Sequence, residues 1–259
     1  MLATALSYKL VASDMTRTLA RTAQTPQAAR EIAYYRENIE KVKSIEDLLG
    51  DDRLFAFAMK AHGLSDMTYA KGFMRKALEE GIDSRDAFAM KLVDKRYRDF
   101  VETFNFKRYG ETATVFSRVK EGTIDKYVRM TLEETEGAKN EGVRLALYFE
   151  RKAPTLRNVY EILAEPALAQ VVRTALGLPD AIQGADVDKQ ARMIESRLKL
   201  EDFKDPAKLA KFLERFTSLW DVANPPAPAA APSILIGQPV TAQIGSDLLM
   251  SLQSIRFGR

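Results

Sequence analysis

The chain holds one histidine, His62, and no cysteine. A lone imidazole could act as a general acid or base, or as one ligand of a metal, because its ordinary pKa lies near neutrality. No metal-ligand spacing of carboxylates surrounds His62, and the lack of cysteine removes thiolate ligands, cysteine nucleophiles and disulfides together. His62 precedes Gly63 at the end of an apolar-striped segment, where an imidazole suits the negative end of a helix. Its reading is structural.

Carboxylates are the other candidates. Asp51-Asp52, Glu79-Glu80 and Glu133-Glu134 are sequence neighbours. Neighbours on a helix point about 100° apart, so none of these pairs converges by itself as an acid and a base. They read as helix starts and solvated faces. Asp66 and Asp180 are the first pair to inspect if a ligand site exists, because they occupy matching places in the two halves of the chain. An aspartate just after a Gly-Leu helix stop is more simply a turn or cap residue. The sequence contains no GxxxxGK[ST] or GxGxxG phosphate loop and no GxSxG nucleophile elbow. No catalytic residue, metal ligand or cofactor is therefore assigned.

The elements that would position such residues are organised by a repeat. Tyr34–Asp66 returns as Tyr148–Asp180 at a constant offset of 114 (148 − 34 and 180 − 66). Tyr34, Leu49, Leu54, Ala61, Gly63, Leu64 and Asp66 meet identical residues, and the apolar rhythm is kept elsewhere, whereas His62 meets Leu176. After Asp180 the offset becomes 120 (193 − 73), so that Phe73, Leu78, Leu92 and Phe100 meet Met193, Leu198, Phe212 and Trp220. Aromatic positions kept in both copies, Tyr34-Tyr35 with Tyr148-Phe149 and Phe100 with Trp220, read as core packing. A repeat of this length marks one structural unit written twice.

Each unit reads as helical. Asp14 is a cap for a helix to about Thr22, Thr25-Pro26 a cap and first helical position, and Ser44–Asp47 a capping box with Asp in place of Glu. Asp51 or Asp52 caps the next helix, Gly63 ends it, and Asp205-Pro206 starts another. Ser84 is expected to open one longer helix through Phe104. Lys139-Asn140 stands where the first copy has Thr25-Pro26, so one continuous helix is expected from Thr123 to about Phe149. No run alternates apolar and polar as a half-buried strand must.

The fold expected is thus all-α, a tandem duplication. Residues 1–13 form a loose or docking arm, 14–108 the first repeat, 109–126 a connection and 127–223 the second repeat. Residues 224–232 are a Pro/Ala linker, and 233–259 a docking tail. In that tail Leu248, Leu249, Leu252 and Ile255 make the stripe of a short amphipathic helix, too short to stand alone in water and so expected to dock on a partner.

An apolar fraction of 46% suffices for a core, and 39 basic against 36 acidic residues leave a net charge of only +3. Lys95, Arg96 and Arg98 interleave with Asp94 and Asp99 as a mixed-charge exposed face. Nucleic-acid binding, which favours a concentrated basic face, is therefore the third reading. The first residues lack a basic n-region and no segment reaches about eighteen unbroken apolar residues, so neither a signal peptide nor a membrane span is expected.

YYRENI, IEDLLGDDRL, KAHGL, DKRYRDF and the closing IGSDLLMSLQSIR together resemble an uncharacterised proteobacterial family, a domain of unknown function common in alphaproteobacteria. The resemblance implies association with flagellar genes and carries over no activity, cofactor or catalytic residue. The leading expectation is a non-enzymatic structural or assembly protein acting through protein partners, flagellar components or itself. It would be cytoplasmic as synthesised, with export through a flagellar apparatus open to it. The alternative is an enzyme or small-ligand protein with a site between the repeats.

Overall fold

A computed structural model describes residues 3–225. Among them there are fifteen α-helices and no strands, so the protein is all-α as the patterning predicts. In order these are α1 Thr4–Ala12, α2 Met15–Ala23, α3 Pro26–Asn38, α4 Ile45–Gly50, α5 Asp52–Ala61, α6 Lys71–Glu80, α7 Phe88–Lys91 and α8 Lys95–Thr103. Then follow α9 Phe106–Tyr109, α10 Glu121–Gly137, α11 Glu141–Lys152, α12 Val159–Leu163, α13 Pro166–Leu176, α14 Val187–Glu195 and α15 Pro206–Ala223. The tail residues Leu248, Leu249, Leu252 and Ile255 lie outside the described residues.

Helix starts follow local cap chemistry. Asp14 accepts from Arg17 N–H, Ser44 and Asp47 form a reciprocal capping box, Asp51 accepts from Arg53 and Leu54, and Asp205 from Ala207 and Lys208. Gly63 takes φ +72° after α5, a backbone region that costs a side chain but not glycine. That turn carries the chain away from His62 and fixes where the imidazole sits.

Two expected helices are broken. The segment from Ser84 to Phe104 divides into α7 and α8 because Leu92 is extended and Asp94 caps a new start, accepting from Arg96 N–H. The long helix from Thr123 divides at residues 138–140. There Asn140 is extended (φ −156°) and its side chain accepts from Val143 N–H, so asparagine supplies the break that proline makes in the first half. Residues 4–12, read as an arm, form a helix that packs on α11 and α15. Thr4 N–H donates to Asp221 at 2.8 Å, and Asn140 donates to Thr4 Oγ1 at 2.8 Å.

Two apolar cores result. One gathers Ile32 and Tyr35 of α3, Leu54, Phe57 and Ala58 of α5, and Phe100 and Phe104, the other Leu147 and Phe149 of α11, Val171 of α13 and Phe216 of α15. Helix α10 belongs to both, giving Ile124, Tyr127 and Val128 to the first and Leu132 to the second. Its place in the first core is fixed by a ring stack, Tyr35 on Phe57 at 4.3 Å and Phe57 on Tyr127 at 3.9 Å between centroids. Each such pair adds about 0.5–1.5 kcal/mol beyond area burial. Along α10 stand the polar groups that the cores enclose.

Candidate functional site

His62 caps the C-terminus of α5 with its ring turned inward, 8% exposed, against the edges of Phe100 and Phe104. Nδ1 lies 2.9 Å from the carbonyl of Ala58. A carbonyl only accepts, so Nδ1 carries the proton and Nε2 presents its lone pair. Onto that lone pair Lys126 of α10 donates from 3.0 Å, and the same ammonium reaches Thr103 Oγ1 at 3.3 Å. The Thr103 hydroxyl lies 3.1 Å from His62 Nε2 and donates to Asp99 O at 2.9 Å.

Burial, with the Lys126 charge adding to it, pushes the His62 pKa down to about 3. The imidazole thus stands at the helix end as the sequence predicts, and it does so as a neutral donor to Ala58 O. A buried neutral ring with both nitrogens engaged is a poor proton carrier at neutral pH. Desolvation lowers the pKa of Lys126, against the opposite pull of Asp99 and Glu102.

A second polar cluster, centred on Glu133, sits about two turns further along α10. Glu133 is 2% exposed and receives Arg129 Nε at 3.1 Å, Arg151 Nε at 2.8 Å and a second Arg151 nitrogen at 2.9 Å. Arg129 also donates to Leu147 O at 2.8 Å. The expectation of a solvated Glu133 is overturned. Its neighbour Glu134 points outward to Lys60 at 2.7 Å, the divergence that helical geometry demands.

The remaining candidates stay apart. Asp51 caps α5 and accepts from the Tyr34 hydroxyl at 2.7 Å, while Asp52 pairs with Lys71. Glu80 accepts from Phe88 N–H at 2.6 Å, and Glu79 is exposed. Asp66 is exposed in a 3₁₀ turn at Ser65–Met67; the side chain of Asp180 lies outside the described residues. Asp94, Arg96 and Lys95 are more than a solvated face. Arg96 bonds both Asp94 and the carbonyl of Gly63, and Lys95 bridges to Glu161 of α12 at 2.7 Å.

One depression of about 820 Å³ is lined by Val42, Asp47, Asp51 and Arg53; a second of about 400 Å³ by Pro154, Leu156 and Lys204. Neither includes His62, Lys126 or Glu133. Among the described residues no three His, Cys, Asp or Glu side chains gather as a metal site, and no helix is long and apolar enough to cross a membrane. Sequence reasoning missed Thr103, Lys126 and the Arg129–Glu133–Arg151 cluster. The i,i+4 spacing of Arg129 and Glu133 was the one available signal.

Fold and site define an all-α protein whose helix α10 carries one part-buried and one buried polar cluster. The family model for DUF1217, described as a protein of unknown function, matches residues 61–209, and the chain belongs to that family. A crystal structure of a protein from Agrobacterium tumefaciens is similar at 47% identity, covering 87% of this chain and 98% of that one, with a TM-score of 0.78. No curated protein matches the chain.

Proposed function

We propose that this is a non-enzymatic structural or assembly protein that works through protein–protein contacts, in association with the bacterial flagellum. The observation that carries the contact reading lies on α1. That helix buries Thr4 and Tyr8 against its neighbours, yet Leu6 is 47% and Leu10 59% exposed, one turn apart on the outside. Apolar side chains paired outward on a docked helix suit a partner surface. The flagellar part rests on the sequence resemblance alone.

A tandem duplication accounts for the helix boundaries. At an offset of 114, α3 (26–38) falls on 140–152 against α11 at 141–152, α4 (45–50) on 159–164 against α12 at 159–163, and α5 (52–61) on 166–175 against α13 at 166–176. Phe100 and Trp220, matched at 120, are both buried. The copies then supply a scaffold, and contacts are sought outside them, on α1 and in the tail 233–259.

Deleting the gene tests the flagellar association. Normal swimming and normal filament number across growth conditions would end it. Affinity purification of the full chain, the L6S/L10S variant and a chain lacking 233–259, read by mass spectrometry, tests the contact reading. Loss of one specific protein in either altered form is expected, and an unchanged set in both would refute it.

A further inference from the structure

The ammonium groups of Lys60, Lys95 and Lys120 rest on carboxylates, those of Glu134, Glu161 and Glu40, at 2.7, 2.7 and 2.5 Å. Lys126 is held differently. Its hydrogen-bond partners are a neutral imidazole and a hydroxyl, His62 Nε2 and Thr103 Oγ1. They position the nitrogen without cancelling its charge.

The charges that act on Lys126 come from two flanking helices. Asp99 and Glu102 on α8 favour the ammonium, while Lys152 and Arg151 on α11 oppose it. Lys152 is desolvated in its turn and forms no ion pair among the described residues, and its charge acts on Lys126. Lys126 is nonetheless exposed to reagents. An amine is nucleophilic only as the free base, so a fixed amine without a carboxylate partner is more reactive than one seated on a carboxylate.

We propose that the Lys126 amine is an acyl-acceptor site, modified by small anionic acyl donors of the acyl phosphate class. This goes beyond the contact reading and does not depend on it. The free amine attacks the acyl carbon. The new C–N bond forms as the C–O bond to phosphate breaks, the electron pair leaves with phosphate, and phosphate takes up the amine proton. Lys152 supplies positive charge for the donor, while His62 and Thr103 are positioning residues that hold the nucleophile.

The full chain is treated with limiting acetyl phosphate near pH 7.5, and acetylation at each lysine is followed by peptide mass spectrometry. Lys126 is expected to react at least about threefold faster than Lys60, Lys95 and Lys120, with a pH–rate midpoint below theirs. Equal rates, or an equal midpoint, would overturn the proposal without any variant being made. Acetic anhydride, which is uncharged, separates the role of Lys152. Lys152→Gln is expected to slow acetyl phosphate more than the anhydride, and equal slowing would overturn the assignment of an anionic donor.

Discussion

Arg151 of α11 closes back on Glu133 of α10, with its Nε 2.8 Å from Oε1 and a terminal nitrogen 2.9 Å from Oε2. The two helices are joined by a short turn at residues 138–140, and this fork bridges them beyond that turn. Arg129 completes the set from the same helix as Glu133.

Removing the charge from that carboxylate leaves two guanidinium groups facing a neutral amide. Glu133→Gln preserves shape, so its cost reports the ion cluster: about 3 kcal/mol, in the range for breaking a buried pair. For a chain of this size that lowers Tm by roughly 6–12 °C. Calorimetry or thermal circular dichroism measures it. A loss below about 1 kcal/mol would mean the cluster behaves as an exposed pair.

His62 makes stability depend on pH. Its unfolded pKa lies near 6.5 and its folded value near 3, so between them the unfolded chain binds a proton that the folded chain refuses. Its contribution is whole above pH 6.5 and is lost as pH falls toward 3, amounting to roughly 2 kcal/mol by pH 5. His62→Leu, which installs the residue found at position 176, removes this dependence. The variant is less stable at pH 7, where Lys126 and Thr103 lose their partner, and the gap to wild type narrows by that amount at pH 5. Urea denaturation of both forms at the two pH values gives the answer, and a constant gap would contradict the buried neutral imidazole.

What could be read from the chain, and what could not, divides by distance in sequence. Asp14, Ser44, Asp51 and Asp205 were legible because a cap and the amides it accepts lie within three residues. Asn140 belongs to the same chemistry: the loss of proline points to a continuous helix, and the capping strength of asparagine prevails over it. Ser84 failed for the mirror reason, since a serine can start a helix and the stronger start at Asp94 lay ahead. The site was illegible. Thr103 and Lys126 meet His62 across 41 and 64 residues, and nothing local to Lys126 marks it as the histidine's partner. Burial of Glu133 likewise depends on Arg151, 18 residues on and beyond a turn that the expected continuous helix would have abolished.

Asn140 both starts α11 and latches α1, through Val143 N–H and Thr4 Oγ1. Asn140→Ala should therefore cost about 1–2 kcal/mol as a lost cap. It should also loosen one helix far away in sequence. Hydrogen exchange at residues 4–12 is expected to rise in the variant while exchange in α5 stays unchanged. Uniform acceleration across the chain would reduce the role of Asn140 to global stability.

Gly142, one residue into α11, shows how tightly that latch is packed. A methyl group there would lie 2.5 Å from Trp220 Cδ1, 2.6 Å from its Nε1 and 2.8 Å from Thr4 Cγ2. Both neighbours are fixed, the indole at 9% exposure and Thr4 at 1%, so neither can swing into solvent. Alanine is the better helix former by about 1 kcal/mol, yet overpacking costs about 1–3 kcal/mol, so Gly142→Ala is expected to be destabilising on balance. Gly50→Ala is the control, since a methyl group there meets nothing within 4 Å and the backbone is not left-handed. That change should be neutral or stabilising by up to about 1 kcal/mol. Trp220 is the only tryptophan, so its emission reports the site directly. A red shift in Gly142→Ala but not in Gly50→Ala, together with a lower urea midpoint, is the expected result; unshifted emission with full stability would show that α1 and α15 part easily.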